Sequence, residues 1–120
     1  MAKHDPDLDL IFQALSDPTR RAMLARMGDG PLPVSDLARP TGLALPTILR
    51  HLSVLETAQL IETEKSGRIR MCRARPETMQ ATMDWMTDQK ALWEARTDRL
   101  QALLASLQEK ESDDADQPGP

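Results

Sequence analysis

Hydrophobic and polar positions follow a helical period through residues 43–60, LALPTILRHLSVLETAQL. At about 100° per residue, Ile48, Leu52 and Leu55 fall on one side and form an apolar stripe with the spacing i, i+4, i+7. The opposite side contains Pro46, Leu49, Arg50 and Ser53. The pattern predicts a helix over residues 44–58 that packs on a core with one side and faces a partner with the other.

Two shorter helices are predicted before this stretch. The first covers residues 7–15, and the second runs to about Met27. Ser16 or Asp17 can cap the second helix, and Pro18 suits its first turn because proline has no N–H group to pair. The apolar faces consist of Leu8, Ile11, Phe12 and Leu15 in the first helix and of Ala22, Met23, Leu24 and Met27 in the second.

A turn and a basic hairpin surround the helix at 44–58. Before it, residues 34–38 predict a short helix capped by Ser35, and Gly42 lies in the turn that follows. Two short helices, a turn and a helix with a polar outer face form a helix-turn-helix arrangement.

After the helix at 44–58 the helical period stops, and residues 61–74 predict two strands joined at Ser66-Gly67. The hairpin contains Lys65, Arg68, Arg70 and Arg73. Such a hairpin is a wing, so the predicted fold is mainly α with a small β-hairpin wing, a winged helix-turn-helix.

Residues 76–110 predict a long final helix that begins at Pro76. Its apolar residues recur in alternating steps of four and three, with gaps at Lys90 and Thr97: Met79, Met83, Met86, Trp93, Leu100, Leu104 and Leu107. A helix of about 30 residues in so small a chain has more apolar surface than its own domain can cover. This excess indicates a partner helix, most simply that of a second copy. The alternative is a break that folds the segment back as two helices.

The two ends of the chain differ from the rest in composition. Residues 1–6 are polar, and residues 111–120, ESDDADQPGP, are acidic. Both stretches predict disorder, because they have too little apolar surface to bury. The domain of residues 7–75 and the dimerisation helix of residues 76–110 lie between these ends.

The charge of the chain is unevenly distributed. The 120 residues suffice for one compact domain, and the net charge of −4 by itself disfavours nucleic acid. However, residues 17–75 hold ten basic and six acidic residues, a net charge of +4, whereas residues 76–120 hold four basic and ten acidic residues, a net charge of −6. Phosphate binding depends on the local field, so a basic middle fits nucleic acid. A solvated surface with uneven charge fits the same numbers.

The sequence predicts a cytoplasmic protein that does not bind membranes. No apolar run reaches the roughly 18–20 residues of a membrane span, and no basic-then-apolar leader is present. Cys72 is the single cysteine, so no internal disulfide can form, and a reducing compartment is the expected setting.

Several short segments together match a known pattern. They are Leu15–Arg21, Asp36–Ala38, Gly42-Leu43, Pro46-Thr47, His51-Leu52, Val54-Leu55 and Gly67-Arg68. Over about residues 8–75 they resemble the ArsR family of bacterial winged helix-turn-helix repressors. The run of Trp85, Trp93-Glu94, Arg96 and Asp98–Leu100 is similar to the last helix of a non-metal branch of that family. The resemblance implies a homodimeric DNA-binding repressor that dimerises through its first and last helices. It also implies that the helix at 44–58 enters the major groove and that the wing lies along the adjacent backbone.

The chain departs from the family pattern at three positions. Ala44 stands where a serine usually caps the recognition helix, and losing such a cap costs about 1 kcal/mol of helix stability. Leu49 stands where a small polar residue is common, and Gln59 stands where a glycine usually ends the helix. The family's base contacts therefore do not transfer to Leu45 or Leu49.

No cofactor or metal site is expected. Metal sites in the resembling repressors use a Cys-x-Cys pair beside the recognition helix or His-containing pairs on the last helix, but residues 33–39 and 76–120 contain neither His nor Cys. Zinc and soft metals need several thiolate or imidazole ligands, and His4, His51 and Cys72 are far apart in sequence. Cys72 is instead predicted to be a buried core thiol.

The leading hypothesis is sequence-specific binding of double-stranded DNA by a homodimer that represses by occluding a promoter. The expected base contacts are Pro46, Thr47, Leu49, Arg50 and Ser53. The expected backbone contacts are Arg20, Arg21, His51, Lys65, Arg68 and Arg70, with local packing as the alternative for His51. The expected dimer interface is Leu8, Ile11, Phe12, Met83, Met86, Trp93, Leu100, Leu104 and Leu107.

Two other classes of function compete with DNA binding. A winged-helix protein-interaction module without DNA function is favoured by the acidic last helix and tail and disfavoured by the +4 middle. An enzyme is not expected, because the chain offers no nucleophile–base pair. The sequence leaves the effector open between a small organic molecule, another protein and none.

Overall fold

The computed structural model describes the backbone of residues 7–116 and the side chains of residues 7–112. The predicted disordered residues 1–6 and 117–120 lie outside this range. The α-helices are α1 (Leu8–Leu15), α2 (Pro18–Arg26), α3 (Val34–Ala38), α4 (Leu45–Thr57) and α5 (Pro76–Asp116), and the strands are β1 (Leu32–Pro33), β2 (Ile61–Ser66) and β3 (Ile69–Ala74). The predicted fold class, mainly α with a small β-hairpin wing, is confirmed. The chain forms two compact units, residues 7–83 and 84–116, which are described separately.

Acidic side chains cap the first two helices. The Asp7 carboxylate accepts a hydrogen bond from the N–H of Leu10 at 3.2 Å. The Asp17 carboxylate accepts from the N–H groups of Thr19 and Arg20 at 2.8 and 3.2 Å. The N–H of Arg20, followed by that of Thr19, lowers the pKa of Asp17 below its usual 3.8, because both bonds favour the charged carboxylate. Asp17 is therefore the cap of α2.

The third helix begins differently from the sequence prediction. α3 starts at Val34 and has Pro33 at its N-cap position without a side-chain hydrogen bond. The predicted cap Ser35 is wrong, because Ser35 lies inside the helix. A 3₁₀ turn at Arg39–Thr41 follows, and Gly42 then adopts the left-handed conformation with φ of 68°. After this reversal α4 begins at Leu45, with Ala44 at its N-cap position.

The wing is part of a three-stranded antiparallel sheet with the order β1–β3–β2. β2 and β3 pair from Ile61 opposite Ala74 to Ser66 opposite Ile69, so the hairpin spans the predicted residues. β1 pairs with the other edge of β3 and was not predicted. It is only two residues long and contains Pro33, which an edge strand tolerates because one of its sides forms no strand pairing.

One aliphatic core holds the first unit together. The predicted α4 stripe of Ile48, Leu52 and Leu55 is buried, with no side chain more than 3% exposed. The other core residues are Ile11, Ala14, Met23, Met27, Leu37, Ala58, Leu60, Ile61 and Cys72. Cys72 is the predicted buried thiol, and burial raises its pKa, so it stays protonated at neutral pH. The prediction that Ala22 is buried is wrong, since Ala22 lies on the exposed side of α2.

The end of α4 contains a strained residue. Gln59 has a φ of 62°, a left-handed conformation that side chains other than glycine adopt at a cost. The hydroxyl of Thr78 donates a hydrogen bond of 2.5 Å to the Gln59 carbonyl and joins this turn to the start of α5. In the sequence, Gln59 stands where the resembling repressors usually have a glycine, and its left-handed backbone is one that glycine adopts without a steric cost.

The last helix is longer than predicted. α5 is one helix of 41 residues, without the break of the fold-back alternative. It continues through residues 111–116, so these residues are helical and the predicted disordered tail is corrected there. No helix in the described part of the chain is both long and apolar enough to cross a lipid bilayer.

Candidate nucleic-acid interface

The outer face of α4 presents both apolar and basic groups to solvent. Leu45 is 56% exposed and Leu49 is 37% exposed. Pro46, Arg50 and Ser53 are also exposed, and Thr47 is partly buried. The predicted base contacts therefore share one side of the helix. Leu45 lies beside them at the first helical position, where a helix that enters the major groove comes closest to the bases.

The N-terminus of α4 has no side-chain cap. Ala44 stands at the N-cap position in an extended conformation and offers no hydrogen-bond acceptor from its side chain. Its carbonyl accepts the N–H groups of Thr47 and Ile48 at 3.0 and 3.1 Å, which starts the helix. The free N–H end of a helix attracts anions such as phosphate. In α4, however, Pro46 has no N–H group and the N–H of Thr47 is already bonded to Ala44, so this uncapped end offers few free donors to an anion.

Arg50 is available for contacts outside the chain. Its guanidinium makes no ion pair or side-chain hydrogen bond with the described residues. A guanidinium in this position can donate two hydrogen bonds to O6 and N7 of a guanine. Apolar side chains of the same face, such as Leu45 and Leu49, can pack on thymine methyl groups.

Arg20 and His51 form a link between helices that the sequence did not predict. The Arg20 guanidinium donates to the carbonyl of Ala14 at 2.8 Å and to that of Gln13 at 3.1 Å. Its Nη1 also lies 3.2 Å from Nδ1 of His51. Because arginine can only donate, Nδ1 of His51 is the acceptor in this contact. Arg20 therefore fixes α4 against the C-terminal end of α1, and no periodicity in the sequence indicates such a contact.

Arg21 is also used within the chain. Its Nη1 donates to the carbonyl of Leu15 at 2.7 Å, and its side chain lines an apolar cavity that contains no residue of α4. The phosphate contacts expected of Arg20 and Arg21 stay predictions. Their carbonyl partners show that both arginines already have a structural role.

The wing concentrates positive charge at the hairpin. Lys65, Arg68 and Arg70 are exposed and form no ion pair with the described residues, whereas Arg73 pairs with Glu62 across the strands. Lys65 and Arg70 occupy directly opposed positions in the ladder. Like charges in such a pair are destabilising, so the hairpin gains when an anion lies near them. This arrangement fits the phosphate backbone of a nucleic acid.

A second exposed surface runs along α5. In the second unit, Trp93, Leu100, Leu104 and Leu107 are 49–62% exposed. Every described side chain from residue 91 to residue 112 is exposed. In the first unit, Phe12 is 40% exposed and Leu8 is partly buried, but Ile11 is completely buried. The expectation that Ile11 meets a partner is therefore wrong, since its side chain belongs to the core of its own chain.

The described residues contain no group of three His, Cys, Asp or Glu side chains arranged to hold a metal ion. His51 lies against Arg20, Cys72 is buried in the sheet, and His4 lies outside the described residues.

The fold and the exposed face of α4 define a winged helix-turn-helix protein of the DNA-binding class. Residues 15–64 match the family model described as a helix-turn-helix domain. The HTH-type transcriptional regulator Rv2034 of Mycobacterium tuberculosis is 36% identical over 106 residues, which cover 88% of this chain and 92% of that protein. The transcriptional repressor SdpR of Bacillus subtilis is 30% identical over 76 residues, 63% of this chain and 84% of that protein.

Solved structures give the same assignment. The crystal structure of an ArsR family transcriptional regulator superposes with a TM-score of 0.71 at 46% identity and covers 78% of this chain and 97% of that one. An ArsR-like transcriptional regulator from Rhodococcus sp. RHA1 gives a TM-score of 0.73 at 29% identity over 80% of this chain and 91% of that one. The chain belongs to the ArsR family of winged helix-turn-helix transcriptional repressors. It is a DNA-binding transcriptional regulator, and the resemblance seen in its sequence is confirmed.

Proposed function

We propose that this regulator is a homodimeric repressor that reads an inverted-repeat operator through α4 and holds the DNA backbone with its wing. The observation that supports this most strongly is the composition of the α4 outer face. Arg50 is exposed without an internal partner, beside exposed Leu45 and Leu49. Guanine recognition by Arg50 and methyl contacts by the leucines make a guanine next to thymines the expected core of each half-site.

The remaining contacts set the register on DNA. Pro46, Thr47 and Ser53 flank Arg50 on the same helix face and are the further base contacts of the proposal. Lys65, Arg68 and Arg70 are the proposed phosphate contacts, because their charges are not neutralised by described carboxylates. Arg20 and His51 act mainly by positioning α4, and Arg21 is the weakest of the expected phosphate contacts, since its guanidinium serves α1.

The dimer in this proposal forms through the first and last helices. Exposed apolar side chains on α5 have no described neighbour that removes them from water, and burying them against a second copy gains roughly 25 cal/mol per Å². The interface set is Leu8, Phe12, Met83, Met86, Trp93, Leu100, Leu104 and Leu107. Two-fold symmetry of the dimer then requires two half-sites about one helical turn of DNA apart.

The proposal includes neither a metal sensor nor a bound cofactor, and it places the repressor in the cytoplasm with the DNA it binds. The chemistry of the potential ligands supports the first point, because Cys72 is a buried, protonated thiol and His51 already accepts from Arg20. Operator affinity should accordingly be the same with added Zn²⁺ and with EDTA.

Selection of bound DNA from a random pool tests the proposal. The expected product is a dyad-symmetric motif, bound by two chains as measured by sedimentation of the complex. The Arg50→Ala variant should lose the preference at one position in each half-site, while the matched wing variant Arg68→Ala should return the full motif. Enrichment of a motif without dyad symmetry, or binding of a single chain, would contradict the proposal.

A further inference from the structure

An apolar cavity lies on the first unit, away from the α4 outer face. It has a volume of about 850 Å³ and opens between α2, the turn after α2, β3 and the start of α5. Its apolar lining includes Leu15, Leu24, Met27, Leu60, Met79 and Met83. Met27 and Leu60 are 2% and 1% exposed, so the floor of the cavity is the core itself. The volume lies within the roughly 300–1,000 Å³ that is typical of small-molecule sites.

All charged side chains that line this α2–α5 cavity are basic. Arg21, Arg73 and Arg75 line it, and no acidic residue of the described chain does. Arg73 pairs with Glu62, and Arg75 pairs with Glu77 at 2.9 Å. The positive charges of both arginines are therefore balanced by carboxylates that do not line the cavity. Arg21 makes only the hydrogen bond to the Leu15 carbonyl and has no carboxylate partner among the described residues. A net positive charge therefore remains at Arg21.

We propose that the α2–α5 cavity binds an organic anion with an apolar tail, of which a medium-chain carboxylate is the simplest form. The tail would lie against the leucines and methionines, whose flexible thioethers fit chains of varying shape. The carboxylate would accept charge-assisted hydrogen bonds from the free donors of Arg21, which match a carboxylate in planar geometry. The apolar lining recognises the tail, and the single unpaired guanidinium selects the sign of the head group.

This assignment does not depend on base recognition, because the cavity shares only Arg21 with the proposed DNA contacts and only Met83 with the proposed dimer interface. It can therefore be tested without an operator. A segment of a second copy of the chain is the competing occupant, and the assay measures the oligomeric state beside ligand binding.

The experiment measures binding of decanoate to the full-length protein by titration calorimetry, with decanamide as the uncharged analogue. Saturable binding of one decanoate per chain is expected, weakened about tenfold by Arg21→Gln through loss of the charge-assisted bonds. Ala25→Phe, at an exposed lining position of α2, should weaken both ligands by filling the space. Arg26→Gln makes the same charge change on α2 outside the lining and should leave decanoate binding unchanged.

Three results would overturn the assignment. Equal affinity for decanoate and decanamide would show that the charge of the head group does not contribute to binding. It would exclude both recognition by Arg21 and an anionic ligand. An equal loss in Arg26→Gln and Arg21→Gln would show a general charge effect. Conversion of the dimer to monomers by Ala25→Phe, measured by sedimentation with melting curves as the folding control, would assign the cavity to a second copy.

Discussion

Two helices of this regulator are rich in leucine and use it in opposite ways. In α4, Leu52 and Leu55 are buried by the chain's own core, with at most 3% of each exposed. In the second unit, Leu100 and Leu104 on α5 are 56% and 49% exposed. The same residue type therefore stabilises the fold in one helix and remains available for association in the other. Helical periodicity alone does not separate the two uses, because both helices show an apolar stripe.

The largest expected effect is in the buried stripe. Leu55→Ala should lower the free energy of unfolding by about 3–5 kcal/mol, because it removes a fully buried side chain and leaves a cavity. Leu49→Ala is the matched control on the exposed side of α4, and it should cost less than about 1 kcal/mol. Urea unfolding at one protein concentration measures both. Similar losses of unfolding free energy in the two variants would contradict the distinction between a buried and an exposed face of α4.

The second prediction concerns the exposed stripe on α5. Leu104→Asp should weaken the proposed dimer by about 2 kcal/mol, roughly a 30-fold rise in its dissociation constant, because a carboxylate would be buried there without a partner. Ser106→Asp, an exposed position off the stripe, should have little effect. Sedimentation equilibrium gives the dissociation constants. A dimer unaffected by Leu104→Asp would move the interface away from this stripe.

The third prediction removes the strain at the end of α4. Gln59→Gly should raise the free energy of unfolding by about 1 kcal/mol, because glycine adopts a φ of 62° without a steric cost. The Thr78 hydrogen bond uses the backbone carbonyl and is kept. Gln59→Ala retains the unfavourable conformation and should give no gain in the same unfolding experiment. A gain of equal size in both variants would show that the glutamine side chain, and not the backbone, is responsible.

The smallest expected effect is the pH dependence at the α2 cap. The pKa of Asp17 is lowered in the folded chain, so its charge stabilises the fold above its unfolded pKa, and this contribution is lost as the pH falls through the folded value below 3.8. Asn can also cap a helix but does not titrate. Wild type should therefore exceed Asp17→Asn in stability at pH 7 and match it near pH 2. A difference that stays constant between these pH values would exclude the charge as its source.

The sequence predicts those elements whose signal is local. α4 and the hairpin of β2 and β3 follow from a change of period, and the start of α2 follows from Pro18 and the two adjacent capping candidates, Ser16 and Asp17. The strand β1 does not follow, because its two residues form a strand only by pairing with Cys72 and Met71.

The candidate site also has features that the sequence predicts and features that it does not. The outward face of α4 is predictable, since helical geometry fixes which side chains share a face. The contact of Arg20 with His51 joins residues 31 positions apart, so no local pattern reveals it. Burial of Ile11 likewise depends on how α1 packs on α4, which periodicity cannot specify.

The central claim is that the outer face of α4 reads bases while the wing binds the backbone. Fluorescence anisotropy on the selected operator and on a scrambled duplex, across several salt concentrations, tests it most directly. Arg50→Ala should lose about 1–3 kcal/mol on the operator and little on the scrambled duplex, while Arg68→Ala should weaken both duplexes alike and reduce the salt slope by about one. An equal loss on both duplexes for Arg50→Ala would contradict the claim.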